Sequence, residues 1–200
     1  MAYSDFTLAR LNEQFGLTNR RERLFHTVQP ISPSAWLTDE LQQLEELPVR
    51  TEKAKSEYIV VPILKELRRL NDKYFTVYSG EILTADLALG LNGECDFMLA
   101  KDINTFDLNY PIIHIVEAKR NDLEIGVPQC AAQLLGARIF NEKRGVKLEK
   151  IYGCVTTGND WLFLVLEDNL VIDSRIYYLS EVDLLLGIFG QIINYYKAVL

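Results

Sequence analysis

The chain has 200 residues, 28 acidic against 21 basic, for a formal charge of −7. At about 150 residues per domain, one compact domain with an extension is expected; 48% hydrophobic and 24% charged residues exclude a disordered, collagen-like or low-complexity chain. The acidic balance also excludes a protein that coats nucleic acid through bulk positive charge, and it leaves room for one that meets nucleic acid at a small site.

Residues 1–50 read as a helical extension. Ser4 and Asp5 are candidate caps for a helix whose apolar positions Phe6, Leu8, Leu11 and Phe15 share a face, with Gly16 as its stop. Ser32 as cap and Pro33 at the first helical position open a second helix that ends before Pro48. Residues 52–70 carry a strong helical period through Ile59, Ile63, Leu64, Leu67 and Leu70, and Pro62 should kink or split that helix.

From Tyr74 the period changes to two. Tyr74–Tyr78, Glu81–Leu87 and Gly93–Leu99 read as strands, separated by the turn signals Ser79-Gly80 and Asn92-Gly93. Pro111–Lys119 is an apolar run ending in charges, the pattern of a strand buried on both faces. A helix from about Pro128 follows, with Cys130, Ala131, Leu134, Leu135 and Ile139 as its apolar face. Ile151–Thr157, Trp161–Leu166 and Arg175–Leu179 read as further strands, and Glu181–Val199 as a closing helix. Residues 51–200 are therefore expected to form one α/β domain, a mixed β-sheet flanked by helices.

Three cysteines, Cys95, Cys130 and Cys154, form no CxxC pair and read as buried thiols in a reducing cytoplasm. Met1–Arg10 lacks the basic start and apolar core of a signal peptide. The longest apolar stretches, Tyr58–Leu64 and Trp161–Leu166, are too short to span a bilayer. A cytoplasmic protein without membrane contact is the expectation.

One region departs from core logic. Ile112–Val116 leads into Glu117-Ala118-Lys119, and residues two apart on a strand share a face, so Glu117 and Lys119 are neighbours at the end of a buried strand. Asp96 places a second carboxylate in an apolar strand upstream. Two carboxylates with the Ala118 carbonyl suit Mg²⁺ or Mn²⁺, which take oxygen ligands and keep several waters. A lysine beside them can hold the attacking water, a set that fits phosphodiester hydrolysis. His114 alternates to the opposite face and reads as a buried, hydrogen-bonded core residue.

Asp96 followed by Glu117-Ala118-Lys119 resembles the Asp…(Asp/Glu)-x-Lys signature of the PD-(D/E)XK nuclease superfamily. The likeness covers about residues 52–160 and extends to the nuclease domains of type I restriction motor subunits and to uncharacterised bacterial, especially cyanobacterial, members. It implies a restriction-endonuclease-like core, metal binding by Asp96 and Glu117, assistance to water by Lys119, and DNA as substrate. It also implies a further acid from the helix before the sheet, Glu57 first and Glu52 second, and a glutamine from the helix after the lysine strand. Gln129 and Gln133, one turn apart, both qualify. Cys95 stands where the superfamily has proline. The rival expectation is a non-catalytic interaction module on the same fold; the charge of −7 points to a partner protein with a basic surface, and the apolar C-terminal helix to a homodimer interface or a core helix.

Overall fold

The computed structural model describes residues 2–200, so the first residue of the expected 1–50 extension lies outside it. One mixed sheet of seven strands organises these residues: β1 (Asn19–Glu22), β2 (Phe75–Asp86), β3 (Leu91–Lys101), β4 (Ile112–Ala118), β5 (Ile151–Thr156), β6 (Asp160–Leu166) and β7 (Leu170–Tyr178). Their spatial order is β1-β7-β6-β5-β4-β3-β2. Two contacts are parallel, β4 with β5 and β1 with β7; the rest are antiparallel. The mixed sheet flanked by helices agrees with the expected α/β class.

Helix α5 (Leu123–Glu142) covers one face and α6 (Val182–Val199) the other. The alternation along β4 decides who meets whom. Glu117 and Lys119 point to α5, where Gln133 and Gln129 reach them. His114 points to α6, with its ring 5.2 Å from that of Phe189. Every residue of β4 is buried, because strands flank it on both sides and helices cover both faces. His114 is fully buried as expected, but neither ring nitrogen has a hydrogen-bond partner among the described residues. Burial pushes its pKa down to about 3, so the ring is neutral.

The N-terminal region departs from the all-helical reading. Helix α1 (Leu8–Phe15) is capped by Thr7, whose side chain accepts from Arg10 N, rather than by Ser4 or Asp5. Gly16 ends it at φ 68°, the left-handed conformation that glycine adopts without a Cβ clash. The next residues form β1, which pairs through Asn19↔Leu170 to Glu22↔Asp173. Four exposed polar residues give no period-two pattern, which is why the sequence conceals this strand. Helix α2 (Ala35–Gln42) is capped by Ser34, two residues after the expected Ser32. Ser34 N and Oγ also donate to the buried Glu66 carboxylate, at 3.0 and 3.1 Å, and Arg69 binds the same group. The extension is thus tied to the domain by a strand, a polar anchor and the apolar side chains of Tyr3, Phe6, Leu11, Leu17, Phe25 and Leu37, all part of the main core.

Pro62 acts as expected, in a particular form. Helix α3 (Glu52–Lys55) runs through a π turn (Ser56–Val60) into α4 (Val61–Leu70). The wide turn lies just ahead of the proline, whose missing N–H and ring oppose a regular ladder there. Ser79-Gly80 does not end a strand. Gly80 takes φ 68°, yet the register resumes unchanged from Ser79↔Phe97 to Glu81↔Cys95, so β2 is continuous. Helix α5 begins at Leu123, five residues before Pro128, because Asp122 caps it by accepting from Glu124 N at 2.8 Å. Among the described residues, no helix is long and apolar enough to cross a membrane.

Candidate functional site

β3 and β4 pair antiparallel through Phe97↔Val116, and one step further that register sets Asp96 opposite Glu117. At this step the ladder opens. The Ala118 N–H turns to the Asp96 side chain, donating to Oδ2 at 2.7 Å. On its other side β4 stays paired with β5 through Ala118↔Thr156, and Lys119 N donates to Thr156 O at 2.8 Å. The strand end is therefore fixed from one side and splayed on the other, and the two carboxylates stand at the fork.

Glu117 is fully buried. Its Oε1 accepts from Lys119 Nζ, and its Oε2 accepts from Gln133 Nε2 at 2.7 Å. Lys119 Nζ also donates to Gln129 Oε1 at 3.2 Å. Burial, then the neighbouring Asp96 charge, pushes the Glu117 carboxyl up to about 7 against the pull of Lys119 and Gln133. Burial raises the Asp96 carboxyl too; the Ala118 bond and Lys119 oppose the rise, and Glu52 and Glu94 add to it. For Lys119, burial works against the charge, but Glu117, Asp96 and Glu52 together hold its ammonium above the ordinary range.

Close approach of α5 makes these contacts possible. Gly126 sits where a Cβ would lie 2.5 Å from Val155 Cγ1 and 3.0 Å from Lys119 Cγ, so only a residue without a side chain lets the first turns of α5 rest on the strand end. Gln129 and Gln133 follow at helical spacing and reach Lys119 and Glu117.

A pocket of about 350 Å³ opens beside Asp96, lined by Glu52, Lys53, Ser56, Glu57, Val61, Ser79, Gly80, Glu94 and Phe97. Asp96, Glu117, Lys119, Ala118 and Gln129 come together as the sequence suggests. Glu57 lines the same pocket but faces Lys53 across 3.9 Å with more than half its side chain exposed. It is Glu52 whose charge bears on both Asp96 and Lys119. Three contributors lie outside the expected set: Glu94, two residues before Asp96 on the same strand face; Gly126; and the Thr156 carbonyl. Glycine three residues before a helical glutamine pair is the only sequence signal for the second, and the third has none.

No family model, curated protein or solved structure matches the chain. Among the described residues no three His, Cys, Asp or Glu side chains are grouped to hold a metal ion. The donors present are the carboxylates of Asp96 and Glu117, with the Ala118 carbonyl between the side chains of β4. Such hard oxygen donors fit Mg²⁺ or Mn²⁺, for which one or two carboxylates suffice when water and substrate complete the shell. Glu117 is buried and Asp96 half-buried, and a divalent cation between them would offset the mutual repulsion that adds to the effect of burial on Glu117.

Proposed function

We propose that the chain is a metal-dependent phosphodiesterase that hydrolyses DNA. The observation that carries this reading is the fork between β3 and β4, where Asp96 and Glu117 face one another and Lys119 is held at the Glu117 carboxylate. Asp96 and Glu117, with the Ala118 carbonyl, would hold Mg²⁺ or Mn²⁺. A bound cation of this kind lowers the pKa of water and offsets charge on a phosphate oxygen.

The protein groups have separate tasks. An ammonium has three N–H donors, and Lys119 directs two of them to Glu117 and Gln129. The third is available to the attacking water or to a phosphate oxygen. Gln133 fixes the Glu117 rotamer, and Gln129 fixes the lysine. Glu52 supplies further negative charge across the pocket and replaces Glu57 as the favoured helix acid. Water attack forms one P–O bond and breaks another, leaving a phosphate monoester and an alcohol that takes up a proton. The three cysteines are free and buried, which fits a cytoplasmic setting.

A second reading has its own support. Glu117 is wholly enclosed and both its oxygens are engaged, as in a structural ion pair, which suits a non-catalytic interaction module. Titration with Mn²⁺ separates the two. The nuclease reading expects a Mn²⁺-dependent rise in melting temperature that is absent in Asp96→Asn, a variant that still accepts the Ala118 bond. It also expects cleavage that falls by at least about a hundredfold in Lys119→Ala. Cleavage of DNA by Lys119→Ala at the wild-type rate refutes the mechanism.

A further inference from the structure

Two polar atoms between α5 and β3 are fully buried and meet no hydrogen-bond partner among the described residues: the Tyr3 hydroxyl and the Gln133 amide oxygen. Tyr3 opens a 3₁₀ turn (Tyr3–Asp5) and is 1% exposed. A glycine on each side makes room for its ring. A Cβ at Gly93 of β3 would lie 3.3 Å from Tyr3 Cδ2, and one at Gly136 of α5 would lie 2.2 Å from the hydroxyl oxygen. Gln133 stands three residues before Gly136, so the two are neighbours along one side of the helix. Its Nε2 lies 3.5 Å from the carbonyl of Glu94, the residue after Gly93. Adjacent residues of both elements therefore flank the two unpartnered atoms.

The Gln133 amide is not free to turn over. A carboxylate accepts and does not donate, so the amide must show Nε2 to Glu117 Oε2, which it does at 2.7 Å. Glu94 O takes the second N–H, and the amide oxygen is left over. Tyr3 can supply what that oxygen lacks. Burial, with the Cys95 thiol adding to it, raises the hold of the hydroxyl on its proton, so the group remains an O–H donor. The Glu117 charge bears on Cys95 as well, which puts the tyrosine and the carboxylate within electrostatic reach of one thiol. Buried polar groups that lack a direct partner are typically joined by an internal water with two to four hydrogen bonds. One donor and one acceptor in the same layer are what such a water needs.

Resting on the nuclease reading for the metal it serves, we propose that Tyr3 is a positioning residue of the site: its hydroxyl holds the Gln133 amide through one buried water, and Gln133 holds the Glu117 carboxylate at the metal position. The N-terminal extension then supports the site as well as the core. Gly93 and Gly136 are the residues that let it reach so far in.

Tyr3→Phe tests this in the full chain, because it keeps the ring between the two glycines and removes only the oxygen. Urea unfolding without divalent ions and the Mn²⁺ dissociation constant from thermal titration are the two readouts. The folding equilibrium constant should fall about fivefold, the worth of one hydrogen bond. Mn²⁺ binding should weaken about threefold to tenfold, less than the roughly ten- to hundredfold cost of losing a residue bound directly to a metal ligand. In Gln133→Met, which has no amide to hold, the same Tyr3→Phe step should change both readouts by less than about twofold. A hydroxyl without a partner gives the opposite result: Tyr3→Phe folds as well as wild type or better, and this overturns the link. Lost stability with unchanged Mn²⁺ binding overturns the positioning role, as does an equal weakening in the Gln133→Met background. A wild type with no Mn²⁺ shift overturns the nuclease reading alone; a fivefold loss in unfolding, confined to the chain that has Gln133, then still supports the Tyr3–Gln133 link.

Discussion

Replacing Glu117 with glutamine exchanges a buried carboxyl for a neutral group of the same shape, and its effect on stability should depend on pH. In the folded chain the carboxyl keeps its proton to about pH 7, whereas its ordinary value is 4.5. Between these limits the folded state binds more protons than the unfolded one, so stability falls as pH rises through the window and levels off above it. At about 1.36 kcal/mol per pH unit, the whole window corresponds to roughly 3 kcal/mol. The side chain is 1% exposed, so solvent screening removes little of this. Glutamine does not titrate and keeps the acceptor for Gln133. Its own amide meets Lys119, which loses its nearest counter-charge and retains Asp96 and Gln129. After that offset, Glu117→Gln should match wild type at about pH 4.5 and exceed it by about 1–3 kcal/mol at about pH 8. Urea unfolding across this range, with divalent ions chelated, measures the difference. Asp96 and Glu117 are coupled, so the difference reports the titration that the pair loses when Glu117 is replaced. Adding Mn²⁺ at about a hundred times its dissociation constant should stabilise wild type by about 2.7 kcal/mol and the variant by far less. An equal gap between the two proteins at both ends of the pH range would refute the reasoning.

Gly126→Ala places a methyl 2.5 Å from Val155 Cγ1, and urea unfolding should register a loss of about 1–3 kcal/mol together with weaker Mn²⁺ binding. Ser34→Ala removes the α2 cap and one of the donors to buried Glu66, for a cost of about 1–2 kcal/mol in the same assay. Glu52→Gln should weaken Mn²⁺ binding in a thermal titration, and Glu57→Gln should leave it within about twofold of wild type; the reverse ranking would return the helix acid to Glu57.

Legibility in the sequence followed burial. The strand Ile112–Ala118 could be read because its neighbours on both sides and both faces demand apolar residues, so two charges at its end stand out against a uniform background. Residues two apart on that strand must share a face, which brought Glu117 and Lys119 together before any fold was known. β1 could not be read, because an edge strand of Asn19, Arg20, Arg21 and Glu22 buries nothing and leaves no period. Gly80 misled for a different reason: its left-handed backbone looks like a turn locally, and the long pairing with β3 overrides that preference. The resemblance ranks Glu57 before Glu52 along that helix. The π turn changes the phase of the helix between the two acids, and a wide turn of this kind has no dependable residue signature. Gln133 was visible as a candidate, but only the three-dimensional register between α5 and β4 assigns it to Glu117 and Gln129 to Lys119.

The pairing of β1 with β7 joins residues about 151 positions apart, as the neighbouring contact of Thr18 with Asn169 records. Such a contact carries a high loop-closure cost and forms late, after the local hairpins of the sheet. Until it forms, β7 is an open edge rich in apolar residues, able to recruit strands from other chains. The short arginine-bearing strand then acts as a closing seal, and its charges give an incoming strand little to bind. Synthesis delivers residues 19–22 well before their landing site on β7, so the window of exposure is set by how quickly the two strands meet once both have emerged.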